Sequence, residues 1–298
     1  MAHPVIDAHQ HVWDPARAAY DWLTADLAPI DTAMSFDDVA PELDAAGVDA
    51  TVQVQSADNP EDTALMRESA ARHPQVVGIV GYAPLHDPDA TAATLAAWAG
   101  DPLMVGVRTL IHNQPDDDWL LRGDVDASLG LLAAADLSFD IVAVRPRHLE
   151  LVSVVAERHP GLRIVIDHLG HPPVGTDDRE PWKSLIARAA EHPQVHAKVS
   201  GLYAATGDMA AWTPDAIRPF TDHALDVFGA DRLMYGGDWP ISVPGGGYAR
   251  VWAGLNEIFA EWDASAREAV LGRTAARFYR LDAARLGAVG AGAEGGRA

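Results

Sequence analysis

Eight short β-rich runs, each followed by a stretch of helical character, predict an α/β fold, a closed parallel (β/α)8 TIM barrel. Length agrees, since 298 residues suit one such barrel. Composition agrees as well: 48% apolar and 22% charged residues are enough for a large core. An open doubly wound sheet is the alternative, weakened because no Gly-rich phosphate fingerprint follows the first run.

In chain order, the runs are residues 5–9, 50–55, 76–82, 104–108, 137–142, 162–167, 195–199 and 232–237. Each is rich in Val, Ile, Leu or Met, and the segments between, such as 64–72 and 149–158, are Ala/Leu/Arg/Glu-rich and of helix length. His73-Pro74, His159-Pro160 and His192-Pro193 each close a helical segment shortly before a strand. Proline stops the helix and histidine suits its negative end, so these three histidines read as structural turns opposite the active face. Residues 1–282 read as one catalytic domain, and the Ala/Gly-rich residues 283–298 as a flexible, frayed tail.

Net charge is −21, from 43 acidic and 22 basic residues. Such a surface repels nucleic acid and anionic membranes. No apolar run spans a bilayer, and the start lacks a basic n-region and apolar signal core, so a cytoplasmic location is expected. With no cysteine, disulfides, thiolate zinc sites, iron–sulfur clusters and a cysteine nucleophile are excluded, and any metal falls to His, Asp or Glu. Monomer and homo-oligomer both fit the sequence.

Strand alternation puts His9 and His11 on one face at the end of the first strand, roughly 6–7 Å apart at Cα, with Asp7 one step deeper. The same reasoning points His168 the way of Ile164 and Ile166, and Asp238 the way of Met234, with Gly236 and Gly237 allowing close backbone approach. His9, His11, His168 and Asp238 thus gather at strand C-terminal ends, where a barrel does its chemistry. Three imidazoles and a carboxylate suit one divalent ion, zinc first. They equally suit metal-free ester chemistry, the carboxylate taking a proton from water and the imidazoles steadying the new charge.

Ile6-Asp7-Ala8-His9-Gln10-His11-Val12-Trp13-Asp14-Pro15 and Tyr20-Asp21-Trp22-Leu23 resemble the lactonase branch of the amidohydrolase superfamily. So do Gly106-Val107-Arg108, Asp167-His168-Leu169-Gly170, Lys198-Val199-Ser200-Gly201-Leu202 and Gly236-Gly237-Asp238-Trp239-Pro240. That branch holds the L-fuconolactonase-like, L-rhamnonolactonase-like and 2-pyrone-4,6-dicarboxylate lactonases. The resemblance, over about residues 5–280, implies a (β/α)8 barrel and lactone hydrolysis. It implies Asp238 as the water-activating acid, with His9, His11 and His168 as active-site histidines.

Two-metal relatives carry a bridging Lys or Glu after the fourth strand and a His after the fifth. Here Arg108 and Val142-Ala143-Val144-Arg145 stand there, which argues for one weakly held ion or none. Arg108 can instead hold a carboxylate or polarise a carbonyl. Lys198, one of two lysines, points into the barrel opposite Val195, Ala197 and Val199 and needs a partner such as Asp140, or else faces substrate. Gln53 is expected to point inward and read hydroxyls, Trp22 and Trp239 to floor a ring, and Tyr82 and His112 to sit in loops on the catalytic face. The expected substrate is a sugar aldonolactone. A carboxylated pyrone or muconolactone, using Arg108, Arg145 and Arg147, and a mononuclear metal-dependent hydrolase or decarboxylase are the alternatives.

Overall fold

The computed structural model describes residues 3–296. The strands are β1 (Ile6–Gln10), β2 (Ala50–Val54), β3 (Val76–Gly81), β4 (Met104–Thr109), β5 (Ser138–Ile141), β6 (Arg163–Ile166), β7 (Val195–Val199) and β8 (Leu233–Tyr235). The helices are α1 (Phe36–Ala46), α2 (Pro60–Arg72), α3 (Pro88–Trp98), α4 (Gly123–Ala134), α5 (Pro146–Arg158), α6 (Trp182–Ala190), α7 (Pro214–Phe228), α8 (Tyr248–Phe259), α9 (Ala264–Glu268), α10 (Thr274–Phe278) and α11 (Ala283–Gly296). All strands are parallel, each paired with the next. The ring closes through a single bridge, Gln10 to Trp239, with the His11 amide donating to the Trp239 carbonyl and the Asp238 amide to the His9 carbonyl, both at 2.7 Å. The barrel is the expected one.

Local chemistry starts several helices. Asn59, Asp87 and Thr213 each accept a hydrogen bond from a first-turn amide, and a proline follows each of them at the first helical position. The His-Pro pairs lie where expected, between α2 and β3, α5 and β6, and α6 and β7.

Two apolar layers form. Val107, Phe139, Ile141, Ile164, Ile166, Val195, Ala197 and Val199 face the helices. Ile6, Ala8, Val52, Val54, Val105, Val165 and Met234, from five strands, meet inside the barrel, where Ala275 and Phe278 of α10 and the adjoining Tyr279 pack against them. Residues 283–296, expected as a frayed tail, form α11 instead, with Leu286 and Val289 packed against that inner group. Alanine's helix propensity and the three-residue spacing of the two apolar side chains account for it. Residues 297 and 298 lie outside the described residues. Among those described, no helix is long and apolar enough to cross a membrane.

Candidate active site

Apolar residues line both faces of these strands, and this decides which polar side chains reach the mouth. On β1, Ile6 and Ala8 point into the barrel, so strict alternation would turn His9 outward. The β1–β2 register shifts between Asp7 and Gln10, and that irregularity brings His9 in among Asp167, Lys198 and Asp238. Asp7 does not follow. Its carboxylate accepts from the Gly237 amide and from the Tyr248 hydroxyl on α8, and burial pushes it up to about 7.

On β6, Val165 is the inward residue, while Ile164 and Ile166 face the helices. Asp167 therefore takes the inward place, which the sequence reading had assigned to the parity of His168. His168 arrives by another route: it and Leu169 adopt left-handed backbone, φ 55° and 50°. Alternation does hold for Lys198 and for Asp238.

The resulting cluster is dry. His9, Asp167 and Lys198 are wholly buried, and Arg108, His11, His168 and Asp238 nearly so. Lys198 Nζ lies 2.6 Å from Asp140 Oδ2, 3.0 Å from Asp167 Oδ1 and 3.1 Å from His9 Nδ1, one acceptor for each of its three protons. Asp140 also accepts from the Tyr279 hydroxyl at 2.7 Å. Arg108 donates to Asp167 Oδ2 at 3.0 Å and to the Gln55 carbonyl. Burial works to raise the Asp167 carboxyl, but Lys198, His9 and Arg108 outweigh it and hold it well below the usual range.

His11 Nδ1 is 2.7 Å from the Val54 carbonyl, which can only accept, so that nitrogen carries the proton. His11 Nε2 then offers a lone pair, 3.1 Å from His9 Nε2 and 3.4 Å from Asp238 Oδ1, while His9 Nε2 is 3.6 Å from the same oxygen. Three atoms able to accept converge on one point, and such a triangle needs a proton or a cation inside it. With Lys198 donating to His9 Nδ1, the proton sits on His9 Nε2. Burial lowers the basicity of both His9 and His168. The Asp238 carboxyl, raised by burial, is brought net below the usual range by His168, His11 and His9.

Among the described residues, His9, His168 and Asp238 offer ligand atoms within 4.8 Å of one another. His11, expected as a fourth ligand, is outside that set, although its Nε2 lone pair lies 3.1 Å from His9 Nε2 and 3.4 Å from Asp238 Oδ1. The set fits one divalent ion. Ser200 Oγ bonds His168 Nδ1 at 2.9 Å, and Asp167 Oδ1, 3.3 Å from His9 Nδ1, can take that proton when Nε2 ligates.

Above the cluster opens a cavity of about 210 Å³. His11, Arg108, His112, His168, His171 and Asp238 supply its polar wall, and Trp22, Leu110, Val142, Val144 and Ile241 its apolar one. Burial pushes His112 down to about 4 and His171 to about 3, so both imidazoles are neutral at pH 7. Gly201 must be glycine: at φ 61°, a Cβ would meet His168 Nδ1 at 2.5 Å and Asp238 Oδ2 at 2.8 Å.

Of the expected substrate contacts, Arg108, Trp22 and His112 line this cavity and four others do not. Lys198 lies beneath it, held by the carboxylates. Gln53 points outward and donates to Ser69 on α2, because Val52 and Val54 hold the inward places. Trp239 is buried in the outer core, its backbone tied to β1. Tyr82 is half-buried outside the cavity, its amide held by Thr63 of α2. The sequence reading missed Asp167, Ser200, Tyr203 and His171. Asp167 had a signal, being the acid beside His168 at a strand end. Tyr203, which meets Asp238 Oδ2 at 3.1 Å, had none.

An amidohydrolase family model matches residues 6–281. The chain is 38% identical over 285 residues to an L-fucono-1,5-lactonase of Burkholderia ambifaria, covering 93% of this chain and 96% of that one. It is 32% identical over 288 residues to an L-fucono-1,5-lactonase of Burkholderia multivorans, with the same coverage, 93% and 96%. A crystal structure of a Burkholderia multivorans amidohydrolase with bound Zn superposes with a TM-score of 0.86 at 29% identity, covering 94% of this chain and all of that one. With the family model matched over nearly the whole chain and relatives 38% and 32% identical, this chain belongs to the amidohydrolase family.

Proposed function

We propose that this protein is a carboxylic-ester hydrolase that opens a sugar aldonolactone, with L-fucono-1,5-lactone the first substrate to try. One observation carries the reading: Asp238 Oδ1 and the Nε2 atoms of His9 and His11 converge beside a small half-apolar cavity. The named lactonase relatives support it.

The lactone enters with its carbonyl toward the histidines. Asp238, ionised, takes a proton from water as the water oxygen bonds to the carbonyl carbon. Arg108, which lines the cavity, donates to the oxygen that gains charge, and the buried His9, backed by Lys198, stands 3.4 Å behind it. The ring C–O bond then breaks, and the proton on Asp238 passes to the departing ring oxygen. A hydroxy acid leaves. Where a divalent ion is present, His9, His168 and Asp238 would hold it, and it would add Lewis-acid polarisation of the carbonyl.

The cavity favours an uncharged, hydroxylated ring over a dicarboxylate. A dicarboxylate needs free cations, but Arg108, which lines the cavity, pairs with Asp167 at 3.0 Å, while Arg145 pairs with Asp117 at 2.7 Å and Arg147 with Asp118 at 2.6 Å outside it. The test is a pH-indicator screen of aldonolactones and pyrone lactones with wild type and Asp238→Asn. Turnover of an aldonolactone that drops by about 10²–10⁴ in the variant is expected. Near-wild-type hydrolysis by Asp238→Asn would defeat the assignment.

A further inference from the structure

Asp238 holds its backbone at φ 55°, a left-handed conformation that residues other than glycine seldom adopt. Such a conformation persists only where its surroundings over-determine it. The strand pairing here is sparse, because β8 is three residues long and meets β1 through one bridge. Two side chains outside the cavity make up the difference.

The first is Asp7, wholly buried. Its Oδ1 accepts from the Gly237 amide at 2.8 Å and from the His9 amide at 3.0 Å. One oxygen thus ties the residue before Asp238 to the backbone of His9, across the seam that closes the barrel. Its Oδ2 accepts from Tyr248 at 3.0 Å, and the Tyr248 hydroxyl accepts from Tyr235 at 3.1 Å. The fit leaves no slack, since a Cβ at Gly237 would run into the Tyr248 ring and Asp7 Oδ2. The second is Tyr203, also buried. Its hydroxyl lies 3.1 Å from Asp238 Oδ2 and 3.3 Å from the Asp238 carbonyl oxygen. Donation to Oδ2 leaves Oδ1 as the atom that faces His9 and His11.

We infer that Asp7 and Tyr203 are positioning residues that clamp Asp238 in its left-handed conformation with Oδ1 turned to the histidines. Neither lines the cavity, so neither contributes to substrate affinity directly. Released from the clamp, Asp238 relaxes toward ordinary backbone and its carboxylate swings off the point where water must be deprotonated. The inference rests on the hydrolytic reading above, in which Asp238 is the base.

The test compares Tyr203→Phe, Asp7→Asn and Asp7→Ala, each checked for folding by circular dichroism. Tyr203→Phe deletes one hydroxyl and leaves the ring packing. It is expected to lower kcat roughly 10–100-fold, the scale of a small misplacement of a reacting group, with KM within about threefold. Asp7→Asn keeps an oxygen toward both amides, and its NH2 can donate to Tyr248 once the two tyrosine hydroxyls reverse. It should stay near wild type while Asp7→Ala falls as far as Tyr203→Phe. If Asp7→Ala does not fold, the other two variants decide. Amide exchange across residues 233–242 gives a readout without turnover, and it should quicken in Tyr203→Phe. A kcat for Tyr203→Phe within about twofold of wild type, an effect confined to KM, or unchanged exchange each overturns the clamp. A wild type inert toward every lactone, with exchange quickened as expected, instead overturns the hydrolytic reading and leaves the clamp standing.

Discussion

Lys198→Met probes the buried charges under the cavity. That layer holds two carboxylates, Asp140 and Asp167, and two cations, Lys198 and Arg108, all nearly or wholly removed from water. The four charges cancel, and Lys198 fills three acceptors at 2.6, 3.0 and 3.1 Å. Methionine keeps most of the volume but leaves two buried carboxylates facing one guanidinium. Asp140 retains only the Tyr279 hydroxyl at 2.7 Å and Ser138 at 3.3 Å. Breaking a buried pair on one side costs about 3–5 kcal/mol. Unfolding entropy of about 2.1 cal/mol/K per residue makes that a drop of roughly 5–8 °C in Tm for a chain this long. Calorimetry on wild type, Lys198→Met and Lys198→Met/Asp140→Asn measures it. The double variant removes one charge of each sign, so it should regain at least half of the loss. A single variant that melts within about 2 °C of wild type, or a double variant no better than the single, refutes the charge accounting.

Acid should unfold this protein from the histidines. His112 and His196 hold out against protonation down to about 4 and His171 to about 3, through burial, whereas an unfolded histidine takes its proton near 6.5. Between those limits the unfolded chain binds more protons, so stability falls as pH drops, by about 1.4 kcal/mol per pH unit for each histidine. Asp7, raised to about 7, acts with the opposite sign between its ordinary value and 7 and offsets one of them, and Asp58, Asp62, Asp140 and Asp222, also raised by burial, make the slope shallower still. Denaturant midpoints at pH 6.5, 5.5 and 4.5 check the slope, and His196→Gln, at the far end of the barrel, should soften it with turnover unchanged. Trp22→Ala removes an aromatic wall of the cavity and should raise KM about tenfold with kcat little changed, read by steady-state kinetics. Dialysis against EDTA, which removes any divalent ion, should leave most lactone turnover, because an ester needs modest electrophilic help and Arg108 already supplies positive field. Complete loss restored by zinc, with elemental analysis of each sample, would mean that the ion carries the reaction.

The barrel was legible because eight strand-sized apolar runs with helix-length spacers have few other solutions, and because the caps are written locally. Asn59-Pro60, Asp87-Pro88 and Thr213-Pro214 name helix starts without any tertiary information. The last segment was harder. Its glycines argue for a loose tail and its alanines for a helix, and packing of Leu286 and Val289 on the inner group tips the balance.

The site was legible in its residue types and not in its directions. A parallel barrel buries both faces of every strand, so an apolar residue every second place does not tell inside from outside. On β7 the ambiguity broke correctly, because a lone lysine can only be where its carboxylates are. On β2 it broke the wrong way and sent Gln53 inward. On β1 and β6 the two-residue period itself fails, at the register shift before Gln10 and at the left-handed pair His168–Leu169. These are the places where catalytic side chains must be re-aimed, and the deviation that defeats the pattern creates the site. His9 and Ala8 both reach the barrel interior, and so do Asp167 and His168, although a regular strand would split each pair between two faces. Adjacent residues sharing a face at a strand end therefore require broken backbone regularity. Register also shifts at Thr51–Val52 and Ile79–Val80, but the breaks that aim site residues fall at His9 and His168, while Asp238 keeps the alternation of Met234 and reaches the site on left-handed backbone at φ 55°.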